Sequence, residues 1–206
     1  MDTLILSKTH MNYGKCCVGG ITESGRYVRL LTSNGENQPE NTELTQRQVW
    51  DITFTELRNT VPPHVEDVLI QSKILKGTIR EDVKVIDFIN KQNIPIWRGG
   101  PEVLFDGLTK WTNSGSGYIN KAGVPNHSVG FWISNQDLMK REYRGIRYNY
   151  PNGNKWYSLK YVGYENAIEK IPAGTLLRVS LARWWKKDSD SEECCYLQLS
   201  GWYDLH

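Results

Sequence analysis

Between Lys140 and Tyr161 the chain carries six basic side chains against one acidic, with six aromatic rings interleaved. Flat rings stack nucleobases and neighbouring cations hold the phosphate backbone, so the mixture suits single-stranded nucleic acid or a nucleotide. Asn152-Gly153 splits the segment, because both residue types accept the positive φ of a tight hairpin turn. A two-residue loop there pairs Tyr150 with Lys155, Asn149 with Trp156, Tyr148 with Tyr157 and Arg147 with Ser158. Strand side chains alternate, so Ile146, Tyr148, Tyr157 and Leu159 form the core face. The other face presents Arg147, Asn149, Trp156, Ser158 and Lys160. Of these, Arg147, Asn149, Trp156 and Lys160 are the expected ligand contacts. The competing expectation is an ordinary solvated hairpin whose Trp is covered by a neighbouring domain.

A second hairpin is expected at Ser24-Gly25, pairing Ile21 with Val28 and Gly19 with Leu30 on its core face. Thr22, Gly20, Tyr27 and Arg29 then face outward, again one aromatic beside one arginine. Gly19 and Gly20 would let a ligand or another backbone come close. Near the end, Arg183-Trp184-Trp185-Lys186-Lys187 runs into the acidic stretch Asp188 to Glu193, a self-compensated tip. Only Arg183 and one of those two Trp are ligand candidates.

Catalytic patterns are missing from the sequence. Gly14-Lys15 is followed by Cys16 rather than a hydroxyl residue, and Gly115-Ser116-Gly117 lacks the third glycine of a dinucleotide loop. Neither a G-x-S-x-G elbow nor an H-E-x-x-H helix occurs. Glu66-Asp67 and Glu81-Asp82 are adjacent carboxylates, which diverge on strands. The cysteines form two adjacent pairs, Cys16-Cys17 and Cys194-Cys195, without the spacer that lets two sulfurs turn to one ion. They read as buried thiols in a reducing compartment. A non-catalytic module without metal or cofactor is expected.

The elements that hold these residues follow from pattern and composition. The chain has 206 residues, 39% hydrophobic, with a formal charge of only +2. Polybasic tails, disordered acidic chains and membrane spans are excluded. The start lacks a secretion signal, so a soluble cytoplasmic protein is expected. Cut at Ile96, the first part has 11 basic and 12 acidic residues and the second 14 and 11; the second also holds seven of the eight Trp. Strands are expected at Thr3 to Ser7, Cys17 to Ile21, Tyr27 to Leu31, Val49 to Phe54 and Val65 to Ile70. A second set is expected at Phe131 to Ile133, Arg144 to Tyr150, Lys155 to Val162, Gly174 to Leu181 and Cys195 to Leu199. Five short strands commonly close into a small Greek-key barrel. The fold class is therefore all-β with minor α, as two OB-like five-stranded barrels, over residues 1–75 and 129–206. The connection, 76–128, combines a helix over Arg80 to Gln92, with Val83, Ile86, Phe88 and Ile89 on one side, and a long loop from Gly99. One short helix is expected in that loop near Glu102 to Leu108.

Leu6-Ser7-Lys8-Thr9, Cys17-Val18-Gly19-Gly20-Ile21 and Val28-Arg29-Leu30-Leu31 resemble blocks of the bacterial dual OB-containing domain family. So do Leu177 to Trp184 and Leu197 to Trp202. The resemblance implies two OB folds, a nucleic-acid or nucleotide-binding role, and for some members a place in prokaryotic conflict or defence systems. It adds Lys8, Arg29 and Arg183 as ligand contacts by their position in matching blocks. The expected partner is single-stranded nucleic acid or a nucleotide, with no membrane. The alternative is a protein-interaction adaptor anchored by exposed aromatics.

Overall fold

The computed structural model describes residues 1–204, with 50% of the chain in strands and 5% in helices. Two compact units divide it: Met1–Val61 with Val65–Ile94, and Pro62–His64 with the chain from Pro95 onward.

The first unit contains β1 (Asp2–His10), β2 (Lys15–Thr22), β3 (Tyr27–Leu31), β4 (Gln38–Pro39), β5 (Gln48–Glu56) and β6 (Asp67–Thr78). Neighbours run β1-β5-β6-β3-β2, and β1 also pairs with β2, which closes a five-stranded barrel. A bulge between Ile5 and Ser7 lets β1 bend from one partner to the other. Only β3 and β6 run parallel within the ring; the other pairings are antiparallel. That order is the OB Greek key. Leu4, Ile5, Leu6, Val18, Val28, Leu30, Ile52 and Val68 are buried. At Gly20 a Cβ would lie 2.6 Å from the Leu4 carbonyl oxygen, so this glycine admits the backbone of β1 rather than a ligand.

Three turns repeat one chemistry: Thr22-Glu23-Ser24-Gly25-Arg26, Thr32-Ser33-Asn34-Gly35-Glu36 and Thr112-Asn113-Ser114-Gly115-Ser116. In each, the threonine N–H donates to the carbonyl of the fifth residue, at 2.9, 2.8 and 3.0 Å. The fifth residue's N–H donates back to the threonine hydroxyl, at 3.2, 3.2 and 3.0 Å. The fourth position must take a left-handed φ, +82°, +81° and +84°, and glycine does so without strain. These are three-residue loops, one residue longer than the loop expected at Ser24-Gly25. The extra residue shifts the β2–β3 register by one: Gly20 pairs with Val28 and Ile21 with Tyr27. Ile21 and Val28 therefore lie on opposite faces, correcting the expected shared core face, and both are buried.

Helix α1 spans Val85–Lys91, later than the expected start at Arg80. Residues 80–84 turn instead, and the Arg80 and Val83 carbonyls accept from the Arg47 guanidinium at 2.5 and 2.7 Å. Val85 and Ile89, one helical turn apart, form the buried stripe, while Val83 is exposed.

The second unit contains β7 (Ile96–Gly99), β8 (Lys110–Trp111), β9 (Gly117–Asn120), β10 (Val129–Ser134), β11 (Leu138–Glu142), β12 (Ile146–Asn152), β13 (Lys155–Tyr161), β14 (Lys170–Ile171), β15 (Leu176–Leu181) and β16 (Cys194–Tyr203). The ladder runs β11-β12-β13-β16-β15-β10. β10 and β11 are consecutive, parted only by residues 135–137, so the ladder's two ends are one interrupted strand. The order repeats that of the first barrel, as does the one parallel pairing within this path, β13 with β16; β7 adds a parallel pairing outside it, to β10. Two OB folds result. Within 99–128, a 3₁₀ turn at Pro101–Val103 replaces the expected short helix, and the β8–β9 hairpin attaches to β16. Leu104, Phe105 and Ile119 from this segment join Trp132, Tyr148, Leu159 and Leu177 in one core. The boundary between the units thus falls at residues 94–95, with 76–94 in the first and 95–128 in the second.

Candidate functional site

The β12–β13 hairpin turns at Gly153-Asn154, with Asn152 paired to Lys155, Tyr150 to Tyr157 and Tyr148 to Leu159. Only the first loop residue, Gly153, takes a positive φ, +58°, the pattern of a turn with glycine leading. Each partner is displaced by two residues from the expected register. Because side chains alternate with period two, both faces survive that displacement. Tyr148 and Leu159 are buried, and Trp156 is 43% exposed on the opposite face.

On that face a cleft of about 670 Å³ is lined by Arg141, Arg144, Arg147, Asn149 and Trp156, with Ser114, Ser116, Ser158, Glu142 and Tyr143. Arg147 donates from Nε to Ser158 Oγ at 2.8 Å, and from one terminal nitrogen to Ser116 Oγ at 3.0 Å and the Ser158 carbonyl at 3.1 Å. Among the described residues, no carboxylate pairs with Arg141, Arg144 or Arg147. Burial pushes the Arg147 pKa below the usual arginine value, although a guanidinium stays charged in any protein. The half-buried Arg147 charge is thus held by neutral acceptors. Beside it the Asn149 Oδ1 is buried without a hydrogen-bond partner, an arrangement that costs about 1–3 kcal/mol and that an incoming donor would relieve.

A second cleft of about 430 Å³ shares Ser114 and Trp156 with the first. Its remaining walls are Trp111, Tyr157, Lys155, Asn152 and the turn Thr112 to Gly115. The Trp111 and Tyr157 rings lie 4.2 Å apart, tilted by 37°. The turn is fastened to β13, because the Ser158 N–H donates to the Gly115 carbonyl at 2.7 Å and Ser116 bridges Ser158 in parallel. A Cβ on Gly115 would sit 2.0 Å from the Trp156 carbonyl oxygen, on a residue whose φ is +84°. Backbone strain and overpacking each cost about 1–3 kcal/mol. A Gly115→Ala chain will therefore be roughly 2–6 kcal/mol less stable in urea unfolding, with the turn displaced from β13.

The other expected contacts lie elsewhere. Lys160 is exposed and sits opposite Arg147 across the strands, outside both cleft linings. Lys8 donates to the Glu40 carbonyl at 2.6 Å. Tyr27 is half-buried in the first unit. Arg29, expected to face a ligand, is ion-paired with buried Asp67, and its side chain is 15% exposed. The β3–β6 pairing sets it directly opposite that carboxylate. Arg183 is exposed, while Trp184 donates to the Pro62 carbonyl at 2.8 Å and lies 4.1 Å beneath the Lys121 ammonium. Ser114, Ser116, Arg141 and Arg144 also line the cleft, beyond the contacts expected from the sequence. The repeated Thr-x-x-Gly turn is the signal that marks the serines, since it identifies an ordered loop in a stretch that reads as linker.

All four cysteines are free, and burial pushes the Cys195 thiol up to about 12. Burial raises Cys16 and Cys194 as well, so these sulfurs stay protonated at neutral pH. Among the described residues no group of three His, Cys, Asp or Glu is placed to hold a metal ion. No helix among them is long and apolar enough to cross a membrane.

Twin OB barrels, the second with a cleft on its second and third strands where such folds commonly take ligands, define a binding-module architecture. The chain belongs to the dual OB-containing domain family, which matches residues 1–202. No curated protein and no solved structure matches it.

Proposed function

We propose that the chain is a non-catalytic module binding single-stranded nucleic acid or a nucleotide in the cleft around Trp156. The observation that carries this reading is the Arg147 guanidinium, half-buried without a carboxylate and adjoining an indole open to solvent. Anionic phosphate supplies the missing counter-charge, and a nucleobase covers the ring. The hydroxyls of Ser114, Ser116 and Ser158 add neutral polar contacts along the cleft. A protein ligand would need an acidic group at Arg147 as well as an apolar anchor.

Titration of a labelled oligonucleotide at low salt, read by anisotropy and by quenching of indole emission, tests the proposal. Four cations, Arg141, Arg144, Arg147 and Lys155, line the two clefts. Each phosphate contact on a single strand contributes about −0.7 to the slope of log affinity against log salt. The expected slope is about −2 to −3. Absence of binding at low salt would overturn the proposal, and nuclease-insensitive capture of a protein partner would favour an adaptor.

A further inference from the structure

Resting on that reading, we propose that Trp156 is a partition between two subsites for consecutive nucleotides of one strand. The backbone lies on its arginine side, and a base enters the cleft that the Thr112–Ser116 turn encloses. The two clefts have only Trp156 and Ser114 in common, so the indole and one hydroxyl divide them. Their chemistry differs. The larger gathers Arg141, Arg144 and Arg147 with a single acid, Glu142, and concentrates positive charge where phosphate oxygens belong. The smaller offers the packed rings of Trp111 and Tyr157 with one cation, Lys155, at its rim, which suits the flat apolar face of a base near one phosphate.

The second subsite is not a product of the barrel strands alone. Trp111 belongs to β8 and the turn follows it, both from the segment between β7 and β10. Gly115 lets this turn lie against the Trp156 backbone, so the insertion is built onto the strand that carries the indole. A mononucleotide can occupy one cleft, whereas a dinucleotide can occupy both while keeping its own covalent link past Trp156.

The test compares a 5′-mononucleotide, a dinucleotide and a tetranucleotide of the same base on the full chain. The dinucleotide should bind about tenfold or more tighter than the mononucleotide, the gain expected from one further stacked base. Lys155→Ala, a change at an exposed side chain, should cut that gain several-fold. Trp111→Ala should abolish the gain, with its folding verified by circular dichroism because Trp111 packs partly against the core. Equal affinities for mono- and dinucleotide, or a full gain retained in the Lys155→Ala chain, overturn the two-subsite arrangement. Tight tetranucleotide binding alongside such equality would do so while leaving the binding function intact. Failure of all three probes to bind overturns the binding function, and the arrangement with it.

Discussion

A chain carrying both Trp156→Ala and Arg147→Ala will bind a single-stranded oligonucleotide on the order of a hundredfold more weakly than the unaltered protein. Removing a stacking ring costs about 1–3 kcal/mol per base. Removing a hydrogen bond to a charged group costs about 1.5–3 kcal/mol. Even the lower ends of the two ranges together approach the 2.7 kcal/mol, roughly, that corresponds to a hundredfold. The fold should tolerate the change. Trp156 is 43% exposed, and Arg147 holds only hydroxyls and a carbonyl that can turn to water. Anisotropy titration reads the affinity, and the urea midpoint reads the fold. Unchanged affinity in a folded double variant would remove this cleft from the function.

Asp67→Asn will destabilise the first barrel by about 3–5 kcal/mol, because it leaves the Arg29 charge enclosed without its counter-ion. Asp67 is 2% exposed and Arg29's side chain 15%. The ion pair joins β3 to β6, the parallel pairing of the ring, at directly opposed residues. An internal comparison is at hand in Arg26 and Glu56, whose side chains are 42% and 60% exposed. Removing Glu56 should cost under about 1 kcal/mol. Arg29→Met with Asp67→Leu should recover most of the loss, since an enclosed ion pair is often replaceable by apolar groups of similar volume. Urea unfolding of the four chains measures all of this. A loss in Asp67→Asn as small as that of the exposed pair would show that water still reaches Arg29.

Both hairpins show how far alternation can be read without coordinates. At β12–β13 the turn lies one residue later than Asn152-Gly153 implies, yet the two-residue displacement of partners leaves Tyr148 and Leu159 inside and Trp156 outside. At β2–β3 a single extra loop residue is enough to separate Ile21 from Val28, while Arg29 meets Asp67 through the β3–β6 pairing. The Thr-x-x-Gly pattern held that information, for the threonine hydroxyl caps the turn and the glycine alone accepts its φ. Faces are set by parity, and parity is set by loop length.

The sequence by itself determined two all-β units of OB order, the inward Tyr148 and Leu159 and the outward Trp156 of the 146–161 hairpin, and the basic, aromatic character of its outer strip, whereas Ser158 is buried and Tyr157 lines the second cleft. These depend on local alternation and turn chemistry, which neighbouring residues carry. Only the tertiary structure decided that Ser116 would meet Arg147 across 31 positions, or that Arg29 would be consumed by a carboxylate 38 residues away. It likewise decided that a glycine-rich stretch would fold back to wall a second cleft. Such contacts depend on which backbones the closed barrel brings together, and a distant pairing leaves no periodic trace in the chain.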